Sequence, residues 1–85
     1  MTSDLIRVVL ADDHTVVRAG LKAVLGTAKD IDVVGEAKDG REAVGLVHRF
    51  HPDVVVMDLS MAGMDGTTAT KEIVARHPHL AVVIL

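Results

Sequence analysis

Four short runs of aliphatic and β-branched residues punctuate the chain: LIRVVLA at 5–11, DIDVVGEA at 30–37, VVVM opening 54–58, and AVVIL at 81–85. Between them, apolar residues recur at helical spacing. This alternation constrains the fold more than any other feature. A strand that is apolar at consecutive positions has no face to offer water, so it must be covered on both sides. The helical segments lying between the runs are what can cover it. The sequence therefore predicts strands and helices in the order βαβαβαβ with short connections, and a parallel sheet with helices on its faces.

The boundaries follow from local chemistry. The first run stops at Asp12 and Asp13, and from Thr15 the period changes. Val17, Leu21, Val24, Leu25 and Ala28 then share one helical face, with Arg18 and Lys22 turned away. Asp39-Gly40 is a turn signal ahead of a second helix carrying Ala43, Val47 and Phe50, and Pro52 stops that helix. The third run leads through a loop at 60–65 into a third helix at 66–77, with Ala69, Ile73 and Val74 as its apolar content. Asp65 is placed to cap that helix.

In open parallel sheets, chemistry collects at the carboxyl ends of the strands, beside the point where strand order reverses. Here those ends carry Asp12 and Asp13 on the first strand and Asp58 on the third. If the two strands are neighbours, three carboxylates converge with no compensating cation close by in sequence. Such a cluster is costly unless protonated or metal-bound. Hard oxygen donors suit Mg²⁺, and a carboxylate beside a bound cation can act as a nucleophile towards a phosphoryl group. The bland alternative makes each Asp a cap or turn residue.

Composition excludes several other classes. The 85 residues hold one domain, and 49% hydrophobic content is that of a globular chain. A net charge of −3 with nine scattered Lys and Arg gives no nucleic-acid surface, and the absence of Cys removes disulfides and thiolate metal sites. No apolar run is long enough for a membrane span, so a cytoplasmic domain is expected.

The stretches VVLADDHTVVRAGLKAVL, DVVGEAKDGREAV, PDVVVMDLSMAGMDG and AVVIL together resemble the receiver domain of two-component response regulators. DDH followed by VRAGL is most similar to the NarL/FixJ (LuxR-type) branch. The resemblance covers the whole chain and implies a doubly wound, flavodoxin-like α/β fold of strand order 2-1-3-4-5, of which residues 1–85 form a partial domain. It implies a signalling module, not an enzyme, in which Asp58 accepts a phosphoryl group from a histidine kinase. Asp13 would ligate Mg²⁺ directly, Asp12 mostly through water, and the backbone carbonyl of Ser60 would complete the set. In a full-length protein the output would be a DNA-binding domain that this chain does not include.

Two departures from the family pattern stand out. Ala62 stands where the family usually has proline, which is expected to loosen the loop slightly without removing a ligand. The Ser or Thr expected after the fourth strand and the Lys after the fifth lie beyond residue 85, so slow phosphorylation is expected. The fourth strand would then be a sheet edge, part of the apolar surface of strands one and three would open to water, and a homo-oligomer through that edge or by exchange of elements is expected. A haloacid-dehalogenase-like hydrolase would need a second Asp at position 60, which is Ser. A fragment acting only through protein contacts is the remaining alternative. His14 is expected to orient the first helix, and His48, His51, His77 and His79 to be solvated. Met57, Met61 and Met64 should fill gaps around the loop, and Gly63 and Gly66 should permit its turns.

Overall fold

A computed structural model describes residues 5–61 and 65–85. The elements are β1 (Ile6–Ala11), α1 (Thr15–Gly26), β2 (Ile31–Ala37), α2 (Gly40–Phe50), β3 (Val54–Met57), α3 (Gly66–Arg76) and β4 (Ala81–Ile84). All pairings are parallel, in the order β2-β1-β3-β4. This is the doubly wound, flavodoxin-like arrangement, with the reversal of strand order between β1 and β3. The expected Ala62, Gly63 and Met64 features lie outside the described residues.

Alternating side chains divide the two faces of the sheet. Val9, Ala11, Val55 and Met57 pack with Ala43 and Val47 of α2 and Ala69 and Ile73 of α3 in one core, joined by Met61. Val8 and Leu10 are buried as well, so β1 is covered on both sides. The expected opening of this face to water is thus confined: α1 packs on β1 and β2 and covers Val8 and Leu10, while Ile6 on the same face remains 39% exposed. On β3, Val54 and Val56 remain half-buried.

The phase of α1 is the second correction. Arg18, Leu21 and Leu25 turn towards the sheet, while Val17 and Val24 are 46% and 68% exposed. Long-range polar contacts hold this phase. The Arg18 guanidinium donates to the Asp12 carbonyl at 2.7 Å and to Glu36 Oε1 at 3.2 Å, and Lys22 Nζ lies 3.0 Å from Glu36 Oε2. Arg18 is thus not turned away, whereas Lys22 stays exposed, its side chain at 56%, and meets Glu36 only at its tip.

Connections are fixed by backbone chemistry. Asp39 caps α2 by accepting from Glu42 N, and Glu42 Oε1 accepts from Lys38 N in return. His51 ends α2 in the left-handed region at φ 48°, and Arg7 Nη1 donates to the last carbonyls, Phe50 O at 2.5 Å and His51 O at 3.2 Å. A cation at a helix C-terminus is favourably placed. His48 and His77 are not simply solvated: a hydrogen bond of 2.9 Å joins their rings across α2 and α3.

Candidate functional site

The register builds the site. Ala11 pairs with Met57, and the ladder continues for one residue beyond both strands. Asp58 N donates to Ala11 O at 2.9 Å, and Asp12 N donates to Ala37 O at 3.0 Å. Adjacent strands ending in step thus set Asp12, Asp13 and Asp58 side by side. One ligand atom from each, together with a ring nitrogen of His14, lies within 4.8 Å of the others. The sequence-derived convergence of the three carboxylates is what the structure displays.

Their environments differ. The Asp12 side chain is 4% exposed, and its Oδ1 accepts from His14 N at 2.7 Å. Asp13 and Asp58 are more open, at 28% and 16%. Asp58 Oδ1 accepts from both Ser60 N and Ser60 Oγ at 3.0 Å each. The backbone N–H of Ser60 holds the Asp58 carboxyl below the usual carboxylate range, its hydroxyl adds to this, and burial opposes it. Asp58 is consequently an oriented anion at neutral pH, with Oδ2 left to face the cluster.

His14 corrects the expectation of an uncompensated cluster. Its Nδ1 lies 3.1 Å from Asp12 Oδ1, 3.0 Å from Asp13 Oδ1 and 4.0 Å from Asp58 Oδ2. The hydrogen bond to Asp12 raises its pKa first, the charges of Asp13 and Asp12 next. Although His14 stands at the N-cap of α1, its side chain makes no cap bond; it serves the carboxylates instead. The adjacency of DDH in sequence was the available signal. The Ser60 side chain was the other residue missed, because only its carbonyl was considered.

The floor and flank of the site are equally specific. Met57 and Met61 are buried beneath it. Asp65 lies outside the cluster and caps α3 by accepting from Thr68 N at 2.7 Å. Gly66 is required by close approach, not by a turn: a Cβ there would fall on the Asp58 carbonyl oxygen and 2.5 Å from Leu59 Cα. The start of α3 is thereby pressed against the strand end that carries Asp58.

The donor set consists of three hard carboxylate groups on rigid strand ends, which fits a Mg²⁺ ion with open water positions. Residues 8–85 match the family model for the response regulator receiver domain. The transcriptional regulatory protein LiaR of Bacillus subtilis is 49% identical over 81 residues, covering 95% of this chain and 38% of LiaR. Among solved structures, the signal receiver domain of NarL from Mycobacterium tuberculosis superposes with a TM-score of 0.86 at 35% identity, covering 95% of this chain and 65% of that one. The isolated REC domain of RcsB from Salmonella enterica serovar Typhimurium, solved in the presence of phosphomimetic BeF3−, gives 0.87 at 31% identity, covering 94% and 60%. The chain spans 38% of the length of the curated relatives it matches.

Proposed function

The chain belongs to the response regulator receiver domain family, with relatives of the NarL/LuxR type, and from that premise we propose that Asp58 is its phosphoacceptor. The observation that carries the reading is the asymmetric treatment of the Asp58 carboxylate. Ser60 engages Oδ1 twice and leaves Oδ2 directed at the acidic cluster. A nucleophile of this kind needs fixed direction and full charge, and both come from its two donors.

The step is a phosphoryl transfer from a histidine kinase. The phosphorus–nitrogen bond of the donor phosphohistidine breaks as Asp58 Oδ2 forms the new oxygen–phosphorus bond. The electron pair of the broken bond returns to the imidazole nitrogen. Asp13, Asp58, the Ser60 backbone carbonyl and Asp12 through water would hold Mg²⁺. Bound there, Mg²⁺ would supply charge neutralisation for the transferring phosphoryl oxygens. Asp12 suits the indirect role, since its Oδ1 is already engaged by His14 N. When protonated, a state that the neighbouring carboxylates favour, His14 supplies positive charge at the same cluster.

In a longer protein the phosphorylated domain would control a DNA-binding output in the cytoplasm. Incubation with acetyl phosphate and Mg²⁺, read by intact mass, tests the site. Partial addition of one phosphoryl group to the chain and none to Asp58→Asn is expected; equal labelling of both would overturn it. Titration with Mg²⁺ should move amides near Asp13 and Asp58, and Asp13→Ala should abolish the response.

A further inference from the structure

Four of the five histidines, His48, His51, His77 and His79, stand at or just beyond the C-terminal ends of α2 and α3. Those helices run antiparallel to the strands, so their C-terminal ends lie at the end of the sheet remote from Asp58. His48 Nδ1 and His77 Nε2 meet at 2.9 Å. The His51 ring stands edge-on to His77, with centroids 5.9 Å apart. A groove of about 320 Å³ lined by His51, Asp53, His77 and His79 opens beside them to solvent.

We propose that His48 and His77 form a two-imidazole site for a divalent transition-metal cation of the zinc or nickel type, clamping the C-terminal ends of α2 and α3 together. Two nitrogens about 2 Å from a tetrahedral cation lie roughly 3.3 Å apart, so the nitrogens separate by a few tenths of an ångström while each ring turns from its partner's nitrogen towards the cation. The present hydrogen bond uses one N–H and one lone pair; on metal binding the donor ring changes tautomer, its proton moving to its other nitrogen, and both facing nitrogens then offer lone pairs to the cation. Imidazole is the donor such cations favour, and the carboxylate cluster at the other end favours hard cations instead. Both helices present their negative dipole ends here. Burial first, then the proximity of His48, His51 and Arg76, lowers the pKa of His77, which disfavours a bound proton on it. The open groove admits water for the remaining positions.

The test is titration of ZnCl2 into the 85-residue chain in excess MgCl2, followed by calorimetry and by NMR of the imidazole nitrogens. One saturable equivalent is expected, shifting His48 Nδ1 and His77 Nε2, with affinity at least tenfold weaker in His48→Gln and in His77→Gln. Zinc should raise the melting temperature of the chain and leave that of the double variant unmoved. Absence of saturable binding, undiminished affinity in the double variant, or imidazole shifts confined to His14 would each overturn the site. The NMR readout on the unmodified chain decides the matter even where a variant folds poorly.

Discussion

Glu36, on β2, pairs with Arg18 and with the more exposed Lys22 of α1, and this makes it the residue through which acid loosens that helix. The hydrogen bond from Lys22 lowers its pKa below the ordinary 4.5, with Arg18 adding to it and burial opposing. A carboxylate depressed in the folded state contributes stability above its unfolded pKa and loses it as pH falls through the folded value. The Glu36 contribution is therefore intact at neutral pH and disappears below about 4.5. Half-exposed pairs of this kind contribute about 1 kcal/mol or less. Urea midpoints measured from pH 7 to pH 3 should show Glu36→Gln slightly destabilised at pH 7 and converging on the parent chain in acid. Equal separation of the two across the range would show that these pairs do not hold α1. Arg18 was misplaced from sequence for a physical reason: its partners, the Asp12 carbonyl and Glu36, meet it only in the tertiary structure.

At the level of elements, α1 carries one broad apolar arc running from Val16 through Val24, Val17 and Leu21 to Leu25, and periodicity alone does not fix which edge of it faces the sheet. The strands had less ambiguity of this kind, because β1 and β3 are apolar on nearly consecutive residues and their central positions are buried or half-buried whatever the phase. The cap Asp65 was readable for a local reason, its bond closing within three residues, and Asp39, read only as part of a turn, closes a bond of the same span. Gly66 shows what local reading omits, since the atoms that forbid a Cβ belong to Asp58 and Leu59. Gly66→Ala should push α3 away from the end of β3 and cost about 1–3 kcal/mol, the usual range for overpacking. The same variant should take up phosphoryl groups from acetyl phosphate more slowly, because the mount of Asp58 has moved. Unchanged stability and uptake would mean that the β3–α3 junction yields without effect on the site.

For the whole molecule, the site was legible as far as its carboxylates, because strand ends in a parallel sheet converge by topology. The contributions of His14 and the Ser60 hydroxyl depend on rotamers, which no spacing encodes. The outer side of β4 is a further global feature: Val83, Ile84 and Leu85 are 49%, 45% and 55% exposed. Such an edge can pair with a second copy. Sedimentation at several concentrations should show association of the 85-residue chain that Val83→Lys weakens; a monomer throughout would exclude this edge as a contact. Within one copy, β1 is hydrogen-bonded on both sides by β2 and β3, whereas β4 is bonded only to β3. Amide hydrogen exchange should accordingly slow from β4 inward, with Val9 and Leu10 among the last protons lost and Val83 among the first. Asp58 rides on the strand midway along that gradient, so the lifetime of its geometry is set by how often β4 lets go.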